Sequence, residues 1–176
     1  FRLMGHKTIA VLDGGLPKWI SDGNSIDATA PTIRDRHMTV HQNLQMVYDV
    51  TQVAHAAKLR DHEIIDARST ARFRGEASEP RPGLRSGHIP NSKNLPFNHV
   101  LNNDQTMKSV DELNKIFTNA GIDLKKPAIT TCGSGITAAV LSLALEKIGK
   151  SDHALYDGSW TEWGQFPTLD ISTGDG

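Results

Sequence analysis

Cysteine is almost missing from this chain. Cys132 is the only one in 176 residues, so no internal disulfide can form. Such usage fits a reducing compartment; the cytoplasm is expected, and the mitochondrial matrix is equally compatible. An excess of either charge sign is missing too: 19 Lys and Arg face 20 Asp and Glu, for a net charge of −1. No global field therefore draws in nucleic acid or an anionic membrane surface. No apolar run approaches the roughly 20 residues of a spanning helix, so no membrane segment is expected. Metal-ligand clusters are scarce as well. His37 and His41 stand four apart, but they flank the strand-like Met38-Thr39-Val40 and have no third ligand, so no metal is expected.

What is present describes an ordinary globular chain, 38% hydrophobic and 22% charged, long enough for one proper core. Strand-like and helix-like segments alternate. A strand is expected near Met38–Val40 or Val47–Tyr48. Asp49 or Thr51 then caps a helix to about Leu59, with Val53, Ala56, Ala57 and Leu59 as its buried stripe. Glu63-Ile64-Ile65-Asp66 reads as a strand, followed by a long arginine-rich loop, and Asn94-Leu95-Pro96-Phe97 as a short one that Pro96 breaks or puts at an edge. Ser109 caps a helix to about Asn119, with Asp111 and Glu112 in its first turn. The strand Ala128–Thr131, a helix to Ile148-Gly149, the strand Ala154–Tyr156 and a Trp-bearing helix complete the set. This alternation predicts an α/β fold with a central parallel sheet of five strands and helices on both faces.

Residues 11–19 (Val-Leu-Asp-Gly-Gly-Leu-Pro-Lys-Trp) match residues 155–163 (Leu-Tyr-Asp-Gly-Ser-Trp-Thr-Glu-Trp). Both imply a short buried strand, an Asp-Gly turn and a helix whose Trp packs back. By this internal repeat, residues 1–23 are expected to be the end of an upstream domain, residues 24–37 a polar linker, and residues 38–176 a second, catalytic domain.

Cys132 lies between a predicted strand end and a predicted helix start, followed by Gly133-Ser134-Gly135-Ile136-Thr137. Unpaired backbone N–H groups and the helix dipole favour an anion on its sulfur there. The two glycines let several amides converge. A lone Cys can also be a small buried hydrophobe, but this setting points to a nucleophile. Gly133-x-Gly135-x-x-Ala138 also fits a dinucleotide fingerprint with Asp157 downstream, but too little chain follows Asp157 to finish that half. A cysteine phosphatase needs an Arg six positions after the Cys, where Ala138 stands; no charged residue lies between Lys126 and Glu146.

The arginine-rich loop should reach the same crest of the sheet. It carries Arg68, Arg72, Arg74, Arg81 and Arg85 against only Glu76 and Glu79. Arg68, Arg74 and Arg85 are expected to pair with Glu76, Glu79 or Asp66. At least one of Arg72 and Arg81 is expected to hold an anionic substrate, since a guanidinium grips a carboxylate with two parallel bonds. His88 in Gly87-His88-Ile89-Pro90 reads as a turn-locking residue.

The loop Cys132-Gly133-Ser134-Gly135-Ile136-Thr137 closely resembles the active-site loop of the 3-mercaptopyruvate sulfurtransferases, in the rhodanese superfamily. Ile65-Asp66-Ala67-Arg68, Arg72-Phe73-Arg74-Gly75, Glu79-Pro80-Arg81, Gly87-His88-Ile89-Pro90, Asn94-Leu95-Pro96-Phe97 and Tyr156-Asp157-Gly158-Ser159-Trp160 are similar in order and spacing. The resemblance implies a rhodanese-like domain in which Cys132 takes sulfur from 3-mercaptopyruvate as a persulfide and releases pyruvate. A thiol acceptor such as thioredoxin or a small thiol, or cyanide, then removes the sulfur. Arg72 and Arg81 match residues that hold the substrate, Ser134 one that relays a proton, and Gly133, Gly135, Ile136 and Thr137 the loop around it. No cofactor is implied beyond the covalent persulfide. The family's first domain is expected to pack on the site and add a His and an Asp to the relay. Thiosulfate-preferring relatives carry basic residues where this loop has Gly133 and Ser134. A thiosulfate sulfurtransferase or a non-catalytic rhodanese-like binding module are the alternatives.

Overall fold

Capping chemistry opens two of the main helices in the computed structural model, which describes residues 1–175. Asp49 accepts from the amide of Gln52, and the Gln52 side chain accepts from the amide of Asp49, a reciprocal box that starts the helix Val50–Leu59. Ser109 and Glu112 do the same for Val110–Asn119. In chain order the elements are α1 (Gly15–Ser21), β1 (Val47–Tyr48), α2 (Val50–Leu59), β2 (Glu63–Asp66), α3 (Thr70–Arg74), β3 (Ser92–Asn94), α4 (Val110–Asn119), β4 (Ala128–Thr131), α5 (Ile136–Lys147), β5 (His153–Tyr156) and α6 (Ser159–Trp163).

The five strands form one parallel sheet in the order β1-β5-β4-β2-β3. β2 and β4 are buried along their whole length, because helices cover both faces. The side-chain alternation of a strand divides the core in two. Ile65 faces a cluster with Leu113, Phe117 and Leu141 from α4 and α5. Its neighbour Ile64 faces the other side, with Val53 from α2 and Tyr156, Trp160 and Trp163 from β5 and α6. The predicted architecture is the one found, and β4 lies at its centre.

Several local expectations are corrected. The first strand is Val47–Tyr48; Met38–Val40 carries neither helix nor strand. Leu59 is exposed, because six residues past Val53 the helix has turned it off the face shared by Val53, Ala56 and Ala57. The third strand is Ser92–Asn94, ahead of the predicted Asn94–Phe97, since Pro96 has no N–H to give a ladder and instead precedes a single 3₁₀ turn at Phe97–Val100. The arginine-rich loop opens with α3, which Gly75 ends at φ +81°. The repeat holds only in part. An Asp-Gly turn leads into a helix in both copies, and Trp19 and Trp163 each donate from Nε1 to a carbonyl further along, that of Ser25 and of Asp170. Val11 and Leu12 form no strand and are exposed, since no neighbouring strand is there to pair with them. The N-terminal segment is tied down where Asp13 accepts from the amide of Met107 at 2.7 Å and Arg2 pairs with Glu146.

His88 is fully buried and stacked flat on Phe73, with ring centroids 3.8 Å apart, and its Nδ1 donates to the Phe73 carbonyl. Its backbone exchanges two hydrogen bonds with Ser172, so it does pin a turn, across to the C-terminal segment. Burial holds its imidazole below the ordinary 6.5, outweighing the opposite pull of the Phe73 carbonyl and Asp66. His153 is lowered for the same reason, against the pull of Glu146. The unfolded chain therefore takes up these protons first as pH falls. Stability is full above about pH 6.5 and declines below it. Urea unfolding between pH 7.5 and 5 (roughly the span over which free histidine titrates) should show that decline, with a shallower slope in His88→Gln.

Candidate active site

The central strand β4 delivers Cys132 to the carboxyl edge of the sheet, where crevices form in open α/β folds. The course of the chain beyond Cys132 is set by α6. The amide of Trp160 donates to the Cys132 carbonyl, and the amide of Thr161 to the Gly133 carbonyl, both at 2.9 Å. The Thr161 hydroxyl donates to the same Gly133 oxygen at 2.5 Å. In a trans peptide the N–H points opposite to the C=O. With both carbonyls turned to α6, the amides of Gly133 and Ser134 point away from it, and among the described residues nothing accepts from them or from the amide of Gly135. The first amides of the twelve-residue α5 add further unclaimed donors. Gly135 takes φ +82° to make this turn possible, and a Cβ there would press on the Asp157 carbonyl at 3.3 Å.

A cleft of about 370 Å³ opens on this loop. Cys132, Gly133 and Ser134 form one wall, continued by Ile136 and Thr137 at the start of α5. Arg72, Arg81 and Thr161 line it as well. Cys132 is only 2% exposed, so its side chain closes the floor of the cleft while its other side packs on the core. Of the loop residues singled out in the sequence, only Gly135 stays off the cleft wall; it shapes the turn behind it. A larger open groove, about 890 Å³, runs along β3 and α4 but holds no cysteine, and Lys93 there is already paired with Glu63.

The two cleft arginines are held differently. Arg72 grips Glu79 with Nε at 3.1 Å and Nη2 at 2.5 Å. Glu79, its side chain 2% exposed, also accepts from Arg68, which is itself locked on Asp66, the Gly87 carbonyl and the face of Trp160. Gly133 lets this assembly close: an ideal Cβ there would sit 3.0 Å from Arg72 Nη2. Arg81 bonds instead to the Thr161 hydroxyl. Of the arginines expected to be structural, Arg68 pairs with Asp66 and Glu79, and Arg74 with Asp175 and, more distantly, Glu76. Arg85 is corrected: among the described residues it binds no carboxylate but the carbonyls of Trp163, Gly164, Phe166 and Leu169, closing off the end of α6.

Neither Ser159 nor Thr161 stands out as a site residue in the sequence. Ser159 is fully buried at φ +50°, accepts from the Cys132 amide at 3.2 Å and donates to the Tyr156 carbonyl at 2.8 Å. Nothing in the local pattern marks it, because its partner lies 27 positions back along the chain.

Comparison with known proteins places this geometry. A family model described as a rhodanese-like domain matches residues 49–166. The thiosulfate/3-mercaptopyruvate sulfurtransferase 1 of Arabidopsis thaliana is 37% identical, over 98% of this chain and 51% of its own length. The 3-mercaptopyruvate sulfurtransferase of Escherichia coli is 40% identical, over 97% of this chain and 60% of its own. A crystal structure of the Escherichia coli protein SseA, described as showing the "Rhodanese" fold and catalytic mechanism of such enzymes, superposes with a TM-score of 0.79 at 37% identity, over 90% of this chain and 59% of that one. The chain thus spans between about half and three fifths of the length of these relatives.

Removing the Ser159 hydroxyl leaves the Cys132 amide buried without an acceptor. Ser159→Ala, which keeps the Cβ that serine already carries, should lower the unfolding free energy by about 1–3 kcal/mol. Ser159→Gly should lose about 1 kcal/mol less, because removing the Cβ relieves the strain that serine carries at positive φ. Urea titrations of both variants provide the check.

Proposed function

The chain belongs to the rhodanese-like domain family, and from that premise we propose that it transfers sulfur from 3-mercaptopyruvate to a thiol or to cyanide through a persulfide on Cys132. The observation that carries this is a single cleft lined by the lone cysteine, by loop residues whose backbone amides are unclaimed among the described residues, and by two arginines. The Cys132 thiolate attacks the sulfur of the donor. The C–S bond breaks, its electron pair passes to carbon as the enolate of pyruvate, and sulfur stays on Cys132 as a persulfide. Arg72 and Arg81 orient the carboxylate and keto oxygen by charge-assisted bonds. Ser134, on the cleft wall, passes a proton to the departing enolate. An acceptor thiolate, from thioredoxin or a small thiol, or cyanide, then attacks the outer sulfur and frees the Cys132 thiolate. The unclaimed amides serve both anionic states.

The uncharged loop favours 3-mercaptopyruvate over thiosulfate, since a dianion would find no cation between Lys126 and Glu146. A further domain, such as the longer relatives have room for, would pack over the exposed rim at Arg81 and complete the proton relay. No helix among the described residues is long and apolar enough to cross a membrane, and a reducing cytoplasm or mitochondrial matrix would keep Cys132 free.

Mass spectrometry after incubation with 3-mercaptopyruvate should find one added sulfur on Cys132 and none in Cys132→Ser; sulfur transfer that survives this substitution sinks the proposal. Arg72→Ala or Arg81→Ala should raise KM for 3-mercaptopyruvate about ten- to a hundredfold, the worth of one charge-assisted contact. KM for an uncharged sulfur donor, which gives a guanidinium no anion to grip, should move far less in steady-state assays of the same variants.

A further inference from the structure

The two cleft arginines differ in how their charge is met. Arg72 is neutralised by Glu79, which takes two of its N–H groups, and is laid against Gly133. Arg81 has no carboxylate within ion-pair distance among the described residues. It is the uncompensated cation of the cleft, and its side chain sits at an exposed rim. Left free, so flexible a side chain would lose its rotamer freedom each time it gripped an anion. Two features restrain it beforehand. Its backbone runs between Pro80 and Pro82, so φ is fixed on either side and Arg81 itself is held extended. Among the described residues its guanidinium has one side-chain tether, the Thr161 hydroxyl, to which Nη1 donates.

That hydroxyl is itself aimed. It spends its proton on the Gly133 carbonyl, so the lone pair it offers faces Arg81. The amide of Thr161 holds the same carbonyl independently. One residue therefore joins the free cation to the peptide whose amide, that of Ser134, is turned away from α6. Resting on the reading of the cleft as the site of a carboxylate-bearing sulfur donor, we propose that Thr161 is a positioning residue that sets specificity for anionic donors by presenting Arg81 to the cleft. It touches no reacting atom. It acts through Arg81, and the loop does not depend on its hydroxyl, because its amide remains.

The test uses alkylation of Cys132, in which the sulfur displaces iodide, by iodoacetate and by iodoacetamide. The two reagents differ in carrying a carboxylate, so the ratio of their rates reports anion recognition without requiring sulfur transfer. In Thr161→Val the ratio should fall about three- to tenfold, the worth of one modest hydrogen bond. Thr161→Ser, which restores the hydroxyl, should return the ratio to that of the unmodified protein. Arg81→Ala should lower it at least as far, and adding Thr161→Val to Arg81→Ala should then change nothing more. A ratio unmoved by Thr161→Val, or lowered equally with and without Arg81, overturns the proposal. Should sulfur transfer itself fail while these ratios behave as described, the fault lies with the assigned reaction and not with Thr161.

Discussion

Two carbonyl oxygens decide what the cysteine loop can do. Those of Cys132 and Gly133 are claimed by the amides of Trp160 and Thr161 at the start of α6. Because each peptide is planar and trans, fixing its carbonyl fixes its amide the other way. The donors that an anion on sulfur needs are thus not arranged by the loop alone. They are left over once a helix 28 residues downstream has taken the acceptors. Ser159 completes the clamp by accepting from the Cys132 amide, and it holds an unfavourable backbone angle to do so. Strain of this kind persists only where surrounding contacts over-determine it. Here the fully buried Trp160, whose Nε1 donates to the Arg85 carbonyl, supplies them.

The charged side of the cleft rests on a different constraint. Asp66, Arg68, Glu79 and Arg72 form a continuous ladder of opposite charges leading from the end of β2 to the cleft. Arg68 and Asp66 are buried, so each depends on its partner, and losing one would cost about 3–5 kcal/mol by stranding the other. The ladder cancels its own charge before the cleft is reached. Arg72 therefore offers direction more than attraction, and the field at the mouth of the cleft comes from Arg81. A count of five arginines against two acids in the loop suggests a strongly basic pocket; the fold instead spends most of those charges on its own carboxylates and carbonyls.

Much of this was legible in the chain. The strands Glu63–Asp66 and Ala128–Thr131 and the Ser109 cap are local signals, carried by β-branched runs and by a capping residue three positions from its partner. The position of Cys132 at a strand end came from the same signals. The misplacements are equally physical. Leu59 lies beyond the helical face that Val53 defines, and Ser92–Asn94 is chosen by its register against β2, which no local pattern encodes. At Val11–Leu12 the pattern of a strand is present, but a strand exists only where another can pair with it.

The chain by itself determined that a single thiol would stand between a strand and a helix, with glycines flexible enough to curl around it and arginines close enough along the chain to be brought near. These are matters of spacing, composition and local backbone preference. Only the tertiary structure decided which arginine would remain uncompensated, and which of the loop's polar groups would be left facing the cleft. The first outcome depends on how pairs within one folded loop are shared out, Glu79 with Arg68 and Arg72, and the second on partners far apart in sequence, Thr161 with Gly133 and Arg81. Hydrogen bonding and charge pairing are exclusive: a group claimed by one partner is lost to any other, and that allocation is settled only when the sheet brings its edges together.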